Sequence, residues 1–210
     1  MSQPAGSPKP IIGLAGGMGS GKSEVARLMG RLGAAVIDSD RLAHQELDSQ
    51  EVRQKVGRWW GRDLLRTDGS VDRAKLAQIV FVDESKRRRL EQLIHPALRR
   101  KRARLIEQAR GDRQIKAIVI DSPLLFELGL ERDCDVVVFV EAGLKLRLER
   151  LARSRGWDRQ EVARREKWHK PLDFKRARSD YIIKNESSID ALRRQVEKTF
   201  SRIISSARTS

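Results

Sequence analysis

Gly16-Gly17-Met18-Gly19-Ser20-Gly21-Lys22-Ser23 packs four glycines, a lysine and two hydroxyls into eight residues. The run fits G-x-x-x-x-G-K-[ST] in full. Glycines let successive backbone N–H groups turn inward around an anion, at dihedrals that a side chain resists. Lys22 then reaches the β- and γ-phosphates of a nucleoside triphosphate such as ATP, and the Ser23 hydroxyl ligates Mg²⁺. Glu24 follows; its N–H is placed to meet the α-phosphate while its carboxylate points away. The candidate nucleotide-binding residues are therefore Gly16, Gly17, Met18, Gly19, Ser20, Gly21, Lys22, Ser23 and Glu24. A merely glycine-rich turn is the competing reading. Context weighs against it: an apolar strand, Ile11 to Leu14, precedes the run, and a helix with Val25, Leu28, Met29 and Leu32 at helical spacing follows.

Further chemistry gathers where other apolar runs end. Ligands of open parallel α/β sheets collect at the carboxyl ends of the strands. Asp38-Ser39-Asp40, Asp121-Ser122-Pro123 and Glu141 each follow such a run. An acceptor hydroxyl must lose its proton as a phosphoryl group arrives, and a carboxylate is the usual recipient. Asp38 and Asp40 share a face if the chain stays extended. Either serves as the base; alternatively, one or both cap a helix expected from Arg41. Asp121 stands where a carboxylate holding Mg²⁺ belongs, although a structural hydrogen bond to the phosphate loop would use it equally well. Phosphoryl transfer spreads negative charge that arginines stabilise. Between Lys145 and Arg178 there are 13 Lys plus Arg against 5 Asp plus Glu, with Arg147, Arg150 and Arg153 leading. A basic flap from Gly156 to Arg178 could cover ATP and exclude water. One site has room for two or three of these cations, so the others are solvated surface.

Apolar runs alternate with helical patterns, which predicts an α/β fold with a parallel sheet. Strands are expected at Ile11 to Leu14, Ala35 to Ile37, Ala117 to Ile120, Val136 to Val140 and Tyr181 to Ile183. Helices are expected from Gly21 to Leu32, stopped by Gly33, and from Leu144 to Ala152, with Leu144, Leu148 and Leu151 on one face. A last helix is expected from Ser187 to Ile204. The stretch from Arg41 to Arg110 reads as mostly helical, broken at Asp68-Gly69 and at Pro96, which suits the first turn of a new helix. One core domain with helical insertions is the economical organisation.

The 210 residues suffice for such a domain, with 39% hydrophobic and 35% charged residues. No stretch approaches the roughly 20 apolar residues that span a bilayer, so no membrane is expected. Residues 1–10 lack the apolar core of a secretory signal and read as a disordered leader. Cys134 is the only cysteine and cannot form an internal disulfide, which makes the cytoplasm the default location. The net charge of +15 favours polyanionic partners or reflects a generally basic composition. Neither an aromatic-interleaved RNA motif nor a DNA-reading module accompanies it, so no specific nucleic acid is expected. Oligomeric state leaves no signal in the sequence.

Several segments together resemble one family. They are Ile12 to Ser23, Val36-Ile37-Asp38-Ser39-Asp40, Leu93-Ile94-His95-Pro96-Ala97-Leu98-Arg99, Asp121 to Glu127, and Asp180-Tyr181-Ile182-Ile183-Lys184-Asn185. In order and spacing they are similar to dephospho-coenzyme A kinases, P-loop enzymes, from about Ile11 to beyond Leu192. The resemblance implies transfer of the ATP γ-phosphoryl group to the ribose 3′-hydroxyl of dephospho-coenzyme A. It also implies a nucleotide-binding core with a central parallel sheet, a helical acceptor-binding subdomain (residues 41–110) and a lid (residues 156–178). On that pattern Asp40 matches the base, and Arg150 the arginine that meets the phosphates beside Lys22. Asp38, His95 and Arg99 are then the candidate acceptor contacts, and Ser23 and Asp121 the candidate metal ligands. His95 alternatively caps a helix beginning at Pro96, and Arg99 alternatively lies on a solvated face. The chain departs from the family pattern at Ala15 for Thr, at His169 for Gln, and at Ser154 for a second arginine, which Arg153 or Arg155 could replace. Other kinases acting on nucleosides or small metabolites share the glycine-rich motif but lack the later segments. His44 and His169 lack zinc-ligand spacing. Trp59-Trp60, at an expected helix end, should place at least one ring in a core; stacking on the acceptor's adenine is the other reading.

Overall fold

Five apolar runs become strands in the computed structural model, which describes residues 9–207 apart from the Phe81 side chain. They are β1 (Ile11–Gly16), β2 (Ala34–Asp38), β3 (Ala117–Asp121), β4 (Val136–Glu141) and β5 (Tyr181–Lys184). The helices are α1 (Lys22–Arg31), α2 (Ser39–Leu47), α3 (Gln50–Trp60), α4 (Arg73–Val82), α5 (Glu84–Gly111), α6 (Leu144–Arg155), α7 (Arg159–Glu166), α8 (Leu172–Ala177) and α9 (Ile189–Ala207). Of the expected leader, residues 1–10, all but the last two lie outside the described residues.

The strands pair in parallel in the order β2-β3-β1-β4-β5. This is the expected five-stranded α/β sheet. β1 and β3 are buried throughout, as strands covered on both faces must be. Each strand outruns its apolar segment because the register continues into polar or glycine residues. Gly16 pairs with Val140, Asp38 with Asp121, and Glu141 with Lys184. Chemistry-bearing residues thereby end up on neighbouring strands, about 4.8 Å apart. α1 and α9 cover one face of the sheet. Their Val25, Leu28, Met29, Val196, Phe200 and Ile203 pack with Ile12, Leu14, Val119, Val138, Val140 and Ile183. Each such burial is worth roughly 1.5–3 kcal/mol. Gly33, at φ +101°, ends α1 with its N–H on the Gly30 carbonyl.

Three expectations need correction. Leu144 is exposed, so the stripe Leu144, Leu148, Leu151 is not the buried face of α6; Arg147 and Leu151 are its buried residues. Pro96 lies inside the 28-residue α5 rather than at a helix start. Proline removes only its own N–H bond and strains the turn before it, at about 3 kcal/mol. Strong helix formers on both sides carry the helix through, and Gln92, whose carbonyl loses its donor, is solvent-exposed. His95 is consequently mid-helix and caps nothing. Finally, α2 begins at Ser39 instead of Arg41. The chain turns helical between Asp38 and Asp40, so strand alternation does not put them on one face.

The chain divides into two compact units, one reaching Asp38 and resuming at Glu107, the other Ser39–Ile106. The first contains the sheet, α1 and α6 to α9. The second has its own core of Val52, Val56, Leu64, Val71, Leu76, Leu90 and Ile94. Its Asp68-Gly69 turn is closed by Arg66 and Ser70, with Gly69 at φ +78°.

Candidate functional site

Between β1 and α1 the glycine-rich loop folds as a nest. Gly16, Gly19 and Gly21 adopt φ of +145°, +75° and +91°, which L side chains rarely take. Space forbids side chains as well: a Cβ on Gly16 would lie 2.5 Å from the Val140 carbonyl oxygen, and one on Gly21 would strike the Asn185 amide. No side chain caps the N-terminus of α1. That end carries the partial positive charge an anion seeks. Lys22 is 8% exposed and donates to the Gly16 and Gly17 carbonyls at 3.1 and 3.0 Å, which holds its ammonium over the loop. Ser23 is exposed in the first turn of α1. Glu24 donates its N–H to the Gly21 carbonyl at 3.1 Å, so this amide belongs to the helix turn. Its carboxylate pairs with Arg27, whose hydrogen bonds hold it below its ordinary pKa.

Three side chains bond the loop's carbonyls. Asn185, just beyond β5, donates to the Ser20 carbonyl at 2.8 Å. Arg150 of α6 donates to the Asn185 carbonyl at 3.0 Å and, at 3.4 Å, to that of Ser20. One turn earlier, Arg147 donates to the Met18 carbonyl at 3.2 Å and to Glu166 of α7 at 2.6 Å. Arg153 and Arg155, the expected substitutes for a second arginine, are exposed: the first turns back to the Glu149 carbonyl, the second stacks on Trp157. The second arginine against the loop, beside Arg150, is Arg147. Its sequence signal was a charge within the apolar spacing of α6.

Asp38, Asp121 and Glu141 end three strands of the sheet. Asp121 is buried at the end of β3 and in register with both Leu14 and Asp38. Asp38 is exposed at the end of β2, and Asp40, exposed in the first turn of α2, follows two residues later. Glu141 at the end of β4 accepts from Arg176 at 3.0 Å.

Residues 156–178 contain two short helices, α7 and α8. They are fastened to the segment after β3 through Glu127, which accepts from the Lys170 N–H at 2.7 Å and the Lys175 ammonium at 2.8 Å. Burial pushes the Glu127 carboxyl up, but Lys175 and the Lys170 N–H outweigh it and hold the group below its ordinary value. His169 sits 4.0 Å from Glu127. Burial lowers its pKa, and the Lys175 and Lys22 ammoniums lower it further, so the ring lies within electrostatic reach of the nest lysine.

A family model described as dephospho-CoA kinase matches residues 10–191. The chain belongs to the dephospho-CoA kinase family. A dephospho-CoA kinase of Corynebacterium diphtheriae is 40% identical over 193 residues, covering 91% of this chain and 96% of the relative. A crystal structure from Thermus thermophilus superposes with a TM-score of 0.78 at 32% identity, covering 92% and 97% of the two chains. The dephospho-CoA kinase of Campylobacter jejuni gives 0.71 at 25% identity, covering 95% and 99%.

In this dephospho-CoA kinase family member the remaining candidates lie in the second unit. His95 and Arg99 are one turn apart on α5. Burial lowers the His95 pKa; Glu91 raises it, while Arg99 and Arg102 lower it. Arg99 is exposed. Trp59 and Trp60 meet edge to face at 5.6 Å. Both rings are partly buried; Trp60 packs on the second core, and Arg89 stacks on Trp59 at 4.0 Å. Lys175 was not singled out from sequence, Glu127 and Asn185 entered only inside the family-like segments, and Arg147 only as one of three leading arginines, because each acts through a partner distant along the chain.

Proposed function

We propose that this chain transfers the γ-phosphoryl group of ATP to the ribose 3′-hydroxyl of dephospho-coenzyme A, releasing ADP and coenzyme A in the last step of coenzyme A synthesis. What carries the reading is a family match that spans both the nest and the carboxylates following β2. The nest amides and α1 hold the triphosphate, and Lys22 and Arg150 balance the charge that spreads over the transferred group. Asp40 takes the proton of the 3′-hydroxyl as its oxygen bonds to phosphorus and the bond to ADP breaks. Asp38, His95 and Arg99 contact the acceptor, which residues 41–110 bind, while residues 156–178 close over ATP and exclude water.

Ser23 and Asp121 offer oxygen donors, which suits a hard cation. Among the described residues no group of three or more His, Cys, Asp or Glu side chains could hold a metal ion. Ser23 and Asp121 would hold Mg²⁺ together with the bound nucleotide, and the ion would offset the negative charge of its phosphates. No described helix is long and apolar enough to cross a membrane. We place the reaction in the cytoplasm, with small molecules rather than specific nucleic acids as partners.

The test is ADP release with ATP and Mg²⁺, offering dephospho-coenzyme A beside adenosine, AMP and shikimate. Turnover should require dephospho-coenzyme A and give a product phosphorylated at the 3′-position. Equal turnover of another acceptor, or ATP consumption without any acceptor, would overturn the assignment.

A further inference from the structure

Arg147 is a cation buried where no solvent balances it: 4% exposed, on the inner side of α6, against the glycine-rich loop. A Cβ added to Gly17 would lie 2.5 Å from its Nη1 and 3.0 Å from its Cζ, so the guanidinium fills the space that a side chain at Gly17 would take. It donates to the Met18 carbonyl and to Glu166, the last residue of α7. Its Nε is buried with no hydrogen-bond partner. A guanidinium carries five N–H donors, and a buried donor left unmade costs about 1–3 kcal/mol. The nest beside it is shaped for an anion that brings acceptor oxygens.

We infer that Arg147 is a further triphosphate-binding residue, which Glu166 holds ready as counter-ion until phosphate oxygens take over its N–H groups. The inference rests on the nest binding a triphosphate, as proposed above. Two consequences follow from the geometry. Arg147 adds charge and directed donors beside the loop, which Lys22, as a point charge, does not. Glu166 competes with the phosphates for one guanidinium, so arrival of ATP loosens the tie between α7 and α6.

Calorimetric titration of the full chain with Mg²⁺-ATP and with inorganic tripolyphosphate tests this, using wild type, Arg147→Gln, Arg147→Lys and Glu166→Gln. Arg147→Gln should weaken both ligands about ten-fold or more. Arg147→Lys should weaken them several-fold, because charge remains while the fork is lost, and it serves if the Gln variant does not fold. Glu166→Gln should tighten both several-fold, since the competing charge is gone. A purely structural ion pair predicts another pattern: both single variants lose thermal stability alike and weaken binding alike, or leave binding untouched. Either result overturns the inference. Failure of wild type to bind either ligand would instead sink the nest itself.

Discussion

Lys175→Met breaks a buried charge pair while keeping most of the side chain's length. Lys175 is 1% exposed, and its ionic partner, Glu127, has a side chain 12% exposed. Removing one member of a buried pair costs about 3–5 kcal/mol, because the other charge stays behind uncompensated. Glu127 keeps the Lys170 N–H and slight solvent contact, so the lower end, about 3 kcal/mol, applies. For a chain of this length 1 kcal/mol moves Tm by roughly 2–4 °C, which predicts a loss of about 6–12 °C. Circular dichroism melts at pH 7.5 read it directly. Glu127→Gln with Lys175→Met leaves no charge and keeps an acceptor for the Lys170 N–H, and it should regain most of the loss.

The pH dependence adds a signed check. In wild type the folded Glu127 pKa is lowered, so its contribution is present above the ordinary value of 4.5 and is lost only as pH falls through the lowered value. Without Lys175, burial dominates and raises the folded pKa above the unfolded one. The carboxyl then takes a proton more readily folded than unfolded, and the deficit of Lys175→Met should shrink between pH 7.5 and pH 5. A deficit independent of pH, or a double variant as unstable as the single one, would refute the claim that an uncompensated carboxylate is the cause.

Lys22→Ala should abolish turnover, because the ammonium over the nest is lost; single-turnover assays with saturating ATP check it. Asp40→Asn should remove most turnover, two or more orders of magnitude if proton transfer is its role, while calorimetry still finds ATP bound. If Asp38→Asn is the crippling change, the base lies at the end of β2. Arg150→Ala should lower kcat more than it raises KM for ATP, and an unchanged kcat would leave Arg150 only its bonds to the Ser20 and Asn185 carbonyls.

The inner strands of the sheet were readable because they are covered on both faces. Such strands appear as unbroken apolar runs, and Ile118-Val119-Ile120 and Val136 to Val140 leave little choice of structure. The nest was readable for a related reason: its function lies in the backbone, and the glycines that permit that backbone fall within six residues. Pro96 shows the limit of local rules, since a residue that commonly begins a helix was outweighed by the helix formers around it.

Side chains that meet across the fold are a different matter. Asn185 bonds a carbonyl 165 residues earlier, and Arg147 one 129 residues earlier, so neither pairing leaves a periodic trace. On α6 the two arginines differ only in what the fold brings to them. Arg147 and Arg150 are three residues apart, hence neighbours on one helix face, and both were visible as charges near the phosphates. Sequence alone could not say that Arg147 would be the buried one, because its burial depends on Gly17 having no side chain and on Glu166 arriving from α7. The glycines of this loop therefore do two things. They shape a concave row of amides toward the ligand, and at Gly17 they leave room beside that row for an arginine. Gly17→Ala separates the two roles, since Gly17 does not adopt a positive φ and the three atoms nearest its Cβ would all belong to Arg147.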